Sequence, residues 1–206
     1  MYAQFLIAAS FVFAAYQDVK DRAVSDLGWI PALAGVAYIV VSFYVSSSIF
    51  DLELVLVKVV LIGGIAFAFT FLGGIGQADA IALAFIAADP YPISPLPALF
   101  ATAVVALSHI GYEFAIGNAR GEKIIPMAQF LREQRWIPRA VISEGTRTEV
   151  NSDVNLARED VEAKGRPNAM VEVSYGVPTV AYLGVGYVIY IVYMFVFNFS
   201  TLARLP

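Results

Sequence analysis

Apolar residues in this chain fall in long runs separated by short polar joints, and six such runs can be drawn. They cover residues 1 to about 17, 27–50, 52–72, 76 to 89, about 96–117 and about 177–202. A helical run of roughly 20 apolar residues matches the hydrocarbon core of a bilayer. The pattern therefore predicts an all-α polytopic membrane protein with six transmembrane helices. A polar stretch, 118–172, separates the fifth run from the sixth. Within it, 136–142 and 170–175 read as strands and 155–164 as a short helix, which predicts a small α+β insertion. A partly disordered loop is the alternative for a connection of that length. The expected organisation is a membrane domain over 1–117, a soluble module over 118–172 and a last membrane helix within 173–206.

The fourth run differs from the others. Its apolar part, 78–88, makes only about 16 Å of helix. Beyond it stand Pro90, Pro92, Pro95 and Pro97, a density that a helix interior does not tolerate. Irregular backbone at membrane depth needs protein or a water cavity around it. The expectation is a short helix whose start lies in a hydrated crevice. The first run could be taken for a signal peptide, but the basic n-region is missing. Read instead as a helix through Asp18, it spans about 27 Å, which brings Asp18 to the membrane boundary.

Composition sharpens this picture. The chain has 206 residues, 59% of them hydrophobic, and a mean hydropathy of +0.72. The net charge of −4 argues against nucleic acid as a partner. With no cysteine and His109 as the one histidine, an ordinary zinc site is not expected, and neither is a cofactor. Of the 13 lysines and arginines, Lys20, Arg22 and nine in the polar stretch lie on one face of the six-span topology. The positive-inside rule makes that face cytoplasmic and puts both termini outside, in a multi-pass cell-membrane protein.

Two aspartates then stand out. Asp79 follows Gly73-Gly74-Ile75-Gly76-Gln77-Ala78, at the point where apolar sequence begins. A charge there is either a functional group or a helix N-cap. Asp18, beside Lys20, Asp21 and Arg22, reads by itself as a solvated interfacial residue. The predicted topology brings both to the cytoplasmic face, one at the end of the first helix and one at the start of the fourth. Paired carboxylates share a proton, because like charges held close cannot both ionise easily. One then accepts a proton from water while the other donates to a carbonyl, with no metal needed.

Three local patterns resemble the preflagellin (archaellin) peptidases. These are relatives of the type IV prepilin peptidases, in the GxGD class of membrane aspartyl proteases that also holds the presenilins. The patterns are Gln17-Asp18-Val19-Lys20 with Pro31 opening the next helix, Gly74-Ile75-Gly76-Gln77-Ala78-Asp79, and Tyr175-Gly176-Val177-Pro178 with Leu183 and Gly184. The prepilin form of the second reads Gly-x-Gly-Asp, whereas here Gln77 and Ala78 separate Gly76 from Asp79. The resemblance implies Asp18 and Asp79 as the catalytic pair, with Gly74 and Gly76 in a flexible motif beside them. It implies precursor substrates with short basic signal peptides. Bacterial relatives that also methylate their product carry a cysteine-containing domain early in the chain. This chain has no cysteine and a short first loop, so no methyltransferase activity is expected.

Other residues carry less. The second half of the polar stretch is acidic, and Glu159, Asp160 and Glu162 are candidates for receiving a basic peptide. His109 and Glu113 stand four apart, as a local polar pair or as a proton relay. Lys58 is expected to snorkel outward. Trp29 and Trp136 are expected as interface anchors. Aspartates on separate helices, one after a glycine-rich segment, suggest a resting state with the pair apart. The competing class is an ion- or proton-coupled transporter or channel with Asp79 in its pathway.

Overall fold

The computed structural model describes residues 2–72, 75–90, 95–151, 154–164 and 168–202. Helix α1 is Tyr2–Asp21, and a 3-10 turn, Asp26–Trp29, leads into α2, Ile30–Val45. Helices α3, Ile49–Lys58, and α4, Gly64–Phe71, form one rod through a π-helical turn at Val59–Gly63. Then come α5, Gln77–Ala88, and α6, Leu96–Ala115. Strand β1 is Lys123–Pro126, α7 Met127–Arg132, β2 Trp136–Ser143, β3 Thr146–Glu149, α8 Val154–Lys164 and β4 Met170–Tyr175. Helix α9, Thr179–Leu202, closes the chain. The fold is mostly helical with one small antiparallel sheet.

Among the described residues, four segments are long and apolar enough to cross a membrane: Asp26–Val45, Ile49–Phe71, Leu96–Ala115 and Thr179–Val196. Two more apolar helices accompany them. In α1 the polar residues Gln4, Gln17, Asp18, Lys20 and Asp21 dilute the hydropathy. The 12 residues of α5 reach only about 18 Å.

Contacts divide the chain into two compact units. The first takes Met1–Tyr16, Val24–Ala106 and Thr179–Pro206. Its centre is aromatic. The ring of Phe11 lies 5.8 Å from Trp29 and 5.2 Å from Tyr187, and Trp29 stacks on Phe85 at 5.5 Å. Offset and edge-on rings at these distances add to ordinary apolar burial. Trp29 is thus a core residue, 3% exposed, and not the interface anchor that its sequence position suggested, because rings of α1 and α5 press on it. Ser10 is buried, and its Oγ accepts the Ala32 N–H at 2.7 Å. That bond satisfies one of the orphan donors that open α2, behind Pro31. Small residues let helices approach backbone to backbone. A Cβ at Gly35 would stand 2.7 Å from the Ala3 carbonyl oxygen, and one at Gly184 would stand 3.1 Å from that of Phe11.

The second unit takes Gln17–Ala23 and Leu107–Pro178. Its sheet has the order β1-β4-β2-β3, with every pairing antiparallel. Glu144 and Gly145 both have positive φ, 52° and 81°, and join Ser143 to its partner Thr146. This is the two-residue hairpin turn whose twist suits flanking strands. Val171 and Val173 alternate inward along β4 and pack with Phe130, Trp136 and Val161. Trp136 is likewise core, 3% exposed, with its indole N–H donating to Glu133 Oε2 at 2.7 Å. Burial opposes ionisation of Glu133, but bonds from Arg135, Trp136 and Gln129 and the Arg135 charge hold its carboxyl below the usual range.

The strands and helix expected at 136–142, 170–175 and 155–164 are present. Helix α7 and strands β1 and β3 were not anticipated. In β3, Thr-Arg-Thr-Glu is exposed at every position and shows no alternation. Only its pairing with β2 makes it a strand.

The tightest helix approach sets a test. A Cβ on Gly186 in α9 would fall 2.7 Å from Thr102 Cα in α6, and backbone cannot yield as a side-chain tip does. Gly186→Ala should lower stability by about 1–3 kcal/mol, the usual cost of overpacking. Thermal unfolding in detergent checks this. An unchanged midpoint would contradict it.

Candidate active site

The head of α5 is built by glycine and aspartate together. Gly76 is the N-cap, in extended conformation at φ −73°, ψ 155°. Its backbone N–H donates to Asp79 Oδ2 at 3.1 Å. Asp79 is the third helical residue, so this is the half of a capping box that needs no N-cap side chain. A Cβ at Gly76 would stand 3.2 Å from that same oxygen, so glycine leaves the carboxylate room. A carboxylate in the first turn also meets the positive end of the helix dipole. The capping role weighed for Asp79 is present. Asp79 is half-buried at the start of a helix whose later residues, Phe85 to Ala88, are buried. Gly74 lies outside the described residues.

Asp18 belongs to the last turn of α1, within the second unit. It is buried, 8% exposed, and not the solvated residue that its charged neighbours suggest. Its main-chain carbonyl accepts from the Arg22 N–H at 3.2 Å and from Arg22 Nη1 at 3.4 Å. Arg22 adopts φ 55°, uncommon for a residue with a side chain, and so turns the chain back on the helix end. Its guanidinium carbon sits 6.0 Å from the Tyr175 ring centroid. Burial pushes the Tyr175 phenol up, helped by the Glu113 charge and opposed by Arg22 and Arg135. The pattern around Asp18 and the one around Tyr175, separate stretches of sequence, therefore meet in one unit.

The acidic trio lies on α8 with unequal freedom. Glu159 and Glu162 are exposed. Asp160 is committed: Lys164 Nζ donates to Oδ2 at 2.9 Å, and the Asn151 N–H donates to the same oxygen at 3.2 Å. The Lys164 bond, against a smaller burial effect, holds its carboxyl below the usual range, and the Asn151 bond adds to this. His109 Nε2 stands 3.7 Å from Glu113 Oε1, and Asn118 donates to the other Glu113 oxygen at 2.8 Å. That satisfies a buried carboxylate at the end of α6.

Lys58 corrects the sequence reading. It is buried, 8% exposed, and does not snorkel outward. Its ammonium donates to the main-chain carbonyl of Asp89, itself only 3% exposed. Sequence reasoning passed over Asp89 entirely. The signal was present: two opposite charges, each at or within an apolar run, are expected to find one another.

Against known proteins, no family model, no curated protein and no solved structure matches this chain.

The cap gives a direct prediction. Asp79→Ala removes the acceptor for Gly76 and should cost about 0.5–2 kcal/mol. Asp79→Asn keeps a carbonyl oxygen in place and should stay near wild type. Thermal unfolding of both variants decides, and equal loss in the two would contradict the cap.

Proposed function

We propose that this chain is a membrane aspartyl endopeptidase of the preflagellin-peptidase type, with Asp18 and Asp79 as its reacting carboxylates. The observation that carries the reading is the sequence Gly74-Ile75-Gly76-Gln77-Ala78-Asp79 opening a short apolar helix. Burial of Asp18 near the end of α1 supports it, since a carboxylate withheld from water at a membrane-helix end is costly and points to a functional role. On this reading α1 and α5 join the four long helices as six spans. Both termini lie outside, and the carboxylates and the soluble module face the cytoplasm.

The chemistry needs one proton shared by two carboxylates. The ionised one takes a proton from water as the water oxygen bonds to the scissile carbonyl carbon. The protonated one donates to the carbonyl oxygen, which becomes a hydroxyl of a neutral tetrahedral gem-diol. Collapse restores the carbonyl, breaks the C–N bond and passes a proton to the departing amine. The pair then returns to its starting protonation. No methyl transfer and no metal enter.

The substrate is a precursor with a short signal peptide, basic just before the cut. Exposed Glu159 and Glu162 supply the opposite charge that steers it.

Two outcomes test the reading. With a co-expressed precursor, Asp18→Asn and Asp79→Asn should each cut cleavage by more than about 100-fold, the scale of losing a positioned acid or base. A strong chelator should leave the wild-type rate unchanged. Cleavage near the wild-type rate in either variant, or loss to chelator restored by zinc, contradicts the proposal. For steering, Glu159→Gln with Glu162→Gln should raise KM several-fold at low salt and not at high salt, where the attraction is screened. A KM unmoved at low salt removes these residues from substrate binding.

A further inference from the structure

The far end of α5 is more elaborately held than its helix length requires. Pro90 disfavours helical backbone at the residue before it, and Asp89 accordingly turns extended at φ −63°, ψ 123°. The helix therefore stops among buried residues, and its last carbonyls lose their intrahelical partners. In an apolar bundle such groups must find donors from protein. Asp89 gathers them. Gln4 Nε2 donates to Oδ1 and the Tyr187 hydroxyl to Oδ2, each at 2.9 Å. The Lys58 ammonium donates to the Asp89 main-chain carbonyl and supplies the opposite charge. These donors come from α1, α3 and α9, so a single residue ties the tail of α5 to three other helices.

Two further features tighten the connection. Lys58 immediately precedes the π-helical turn at Val59–Gly63. Such turns shift helical register and are frequent at functional sites. That turn reaches α5 at mid-helix, where a Cβ on Gly63 would stand 3.2 Å from the Ala84 Cβ. On the other side, a cavity of about 150 Å³ lined by Gln4, Tyr38, Phe43 and Pro90 leaves the tail room to move.

We propose that Asp89 is a positioning residue, the pin that sets where α5 stands in its bundle and so where Asp79 is presented. The ten helical residues from Asp79 to Ala88 form a rod of about 15 Å, and displacement at one end carries to the other. The link to catalysis rests on the endopeptidase reading. The link to helix position does not.

The test uses the full chain in lipid nanodiscs, with Ala78→Cys as a reporter at the head of α5 and Ser47→Cys as a control in the exposed α2–α3 turn. The chain's lack of native cysteine makes each label specific. Asp89→Asn and Lys58→Met should each change maleimide labelling at the Ala78→Cys reporter at least threefold, with the control unmoved. Lys58→Arg, which keeps a cation, should label as wild type. The double variant Lys58→Met/Asp89→Asn should fall nearer wild type than Lys58→Met alone, because no unpaired charge is left buried. Where precursor is cleaved, Asp89→Asn should lower kcat at least tenfold with KM within twofold. Unchanged reporter labelling in folded Asp89→Asn overturns the pin. So does a kcat loss shared equally by Lys58→Arg. Should Asp89→Asn fail to fold, Tyr187→Phe removes one donor only and should shift the same reporter; no shift overturns the proposal. A wild type that never cleaves precursor sinks the endopeptidase reading and leaves the labelling result to judge the pin.

Discussion

A helix that ends inside an apolar bundle needs donors for its last backbone carbonyls and for any carboxylate buried beside them, and at the tail of α5 both demands meet in Asp89. Twelve residues are too few to reach water at both ends of a membrane. An unpaired buried backbone group costs as much as a lost hydrogen bond. Pro90 fixes where the helix stops, and Asp89 then draws in Gln4, Lys58 and Tyr187. Gln4 of α1, Lys58 of α3 and Tyr187 of α9 thus answer to the end of one short helix. A pair of opposite charges buried together is weak evidence for stability as such, since desolvation offsets much of the attraction. On the pin proposal its value is geometric, specifying one placement of α5.

Around that cluster the first unit packs by size alternation. Phe11, Trp29, Phe85 and Tyr187 fill the middle, and Gly35, Gly184 and Gly186 let the backbones close where rings are absent. The second unit solves a different problem. Its four-stranded sheet has a core of its own, and Trp136 serves that core while Lys123 and Arg135 each approach its ring to 5.3 Å. The end of α1 belongs to this unit, where the Asp18 carbonyl accepts from Arg22, whose guanidinium carbon lies 6.0 Å from the Tyr175 ring centroid.

Much of this was legible in the sequence, for identifiable reasons. Apolar runs located the helices because a run of about 20 apolar residues suits a helix and is too long for a strand. Strand β4 was readable because Val171 and Val173 alternate with polar neighbours. Strand β3 was not, since an all-exposed strand is defined by its partner and leaves no periodic trace. Asp79 was visible as a charge opening an apolar segment after glycine. Asp89 and Lys58 were not joined, because 31 residues separate them and each has a plausible local account. Lys58 looks like a snorkelling residue and Asp89 like part of a proline-rich turn. Trp29 and Trp136 misled for a similar reason: tryptophan serves interfaces and cores alike.

The central claim is that Asp18 and Asp79 act as one reacting pair. Disulfide crosslinking between Gln17→Cys and Ala78→Cys tests it most directly, in a chain with no native cysteine to interfere. Ala15→Cys with Gly184→Cys is the positive control, since a Cβ at Gly184 would stand 3.5 Å from that of Ala15, within disulfide range. The account predicts that the test pair crosslinks, and does so faster when precursor is bound and draws the helices into register. A control that crosslinks while the test pair does not, with precursor or without it, would contradict the account.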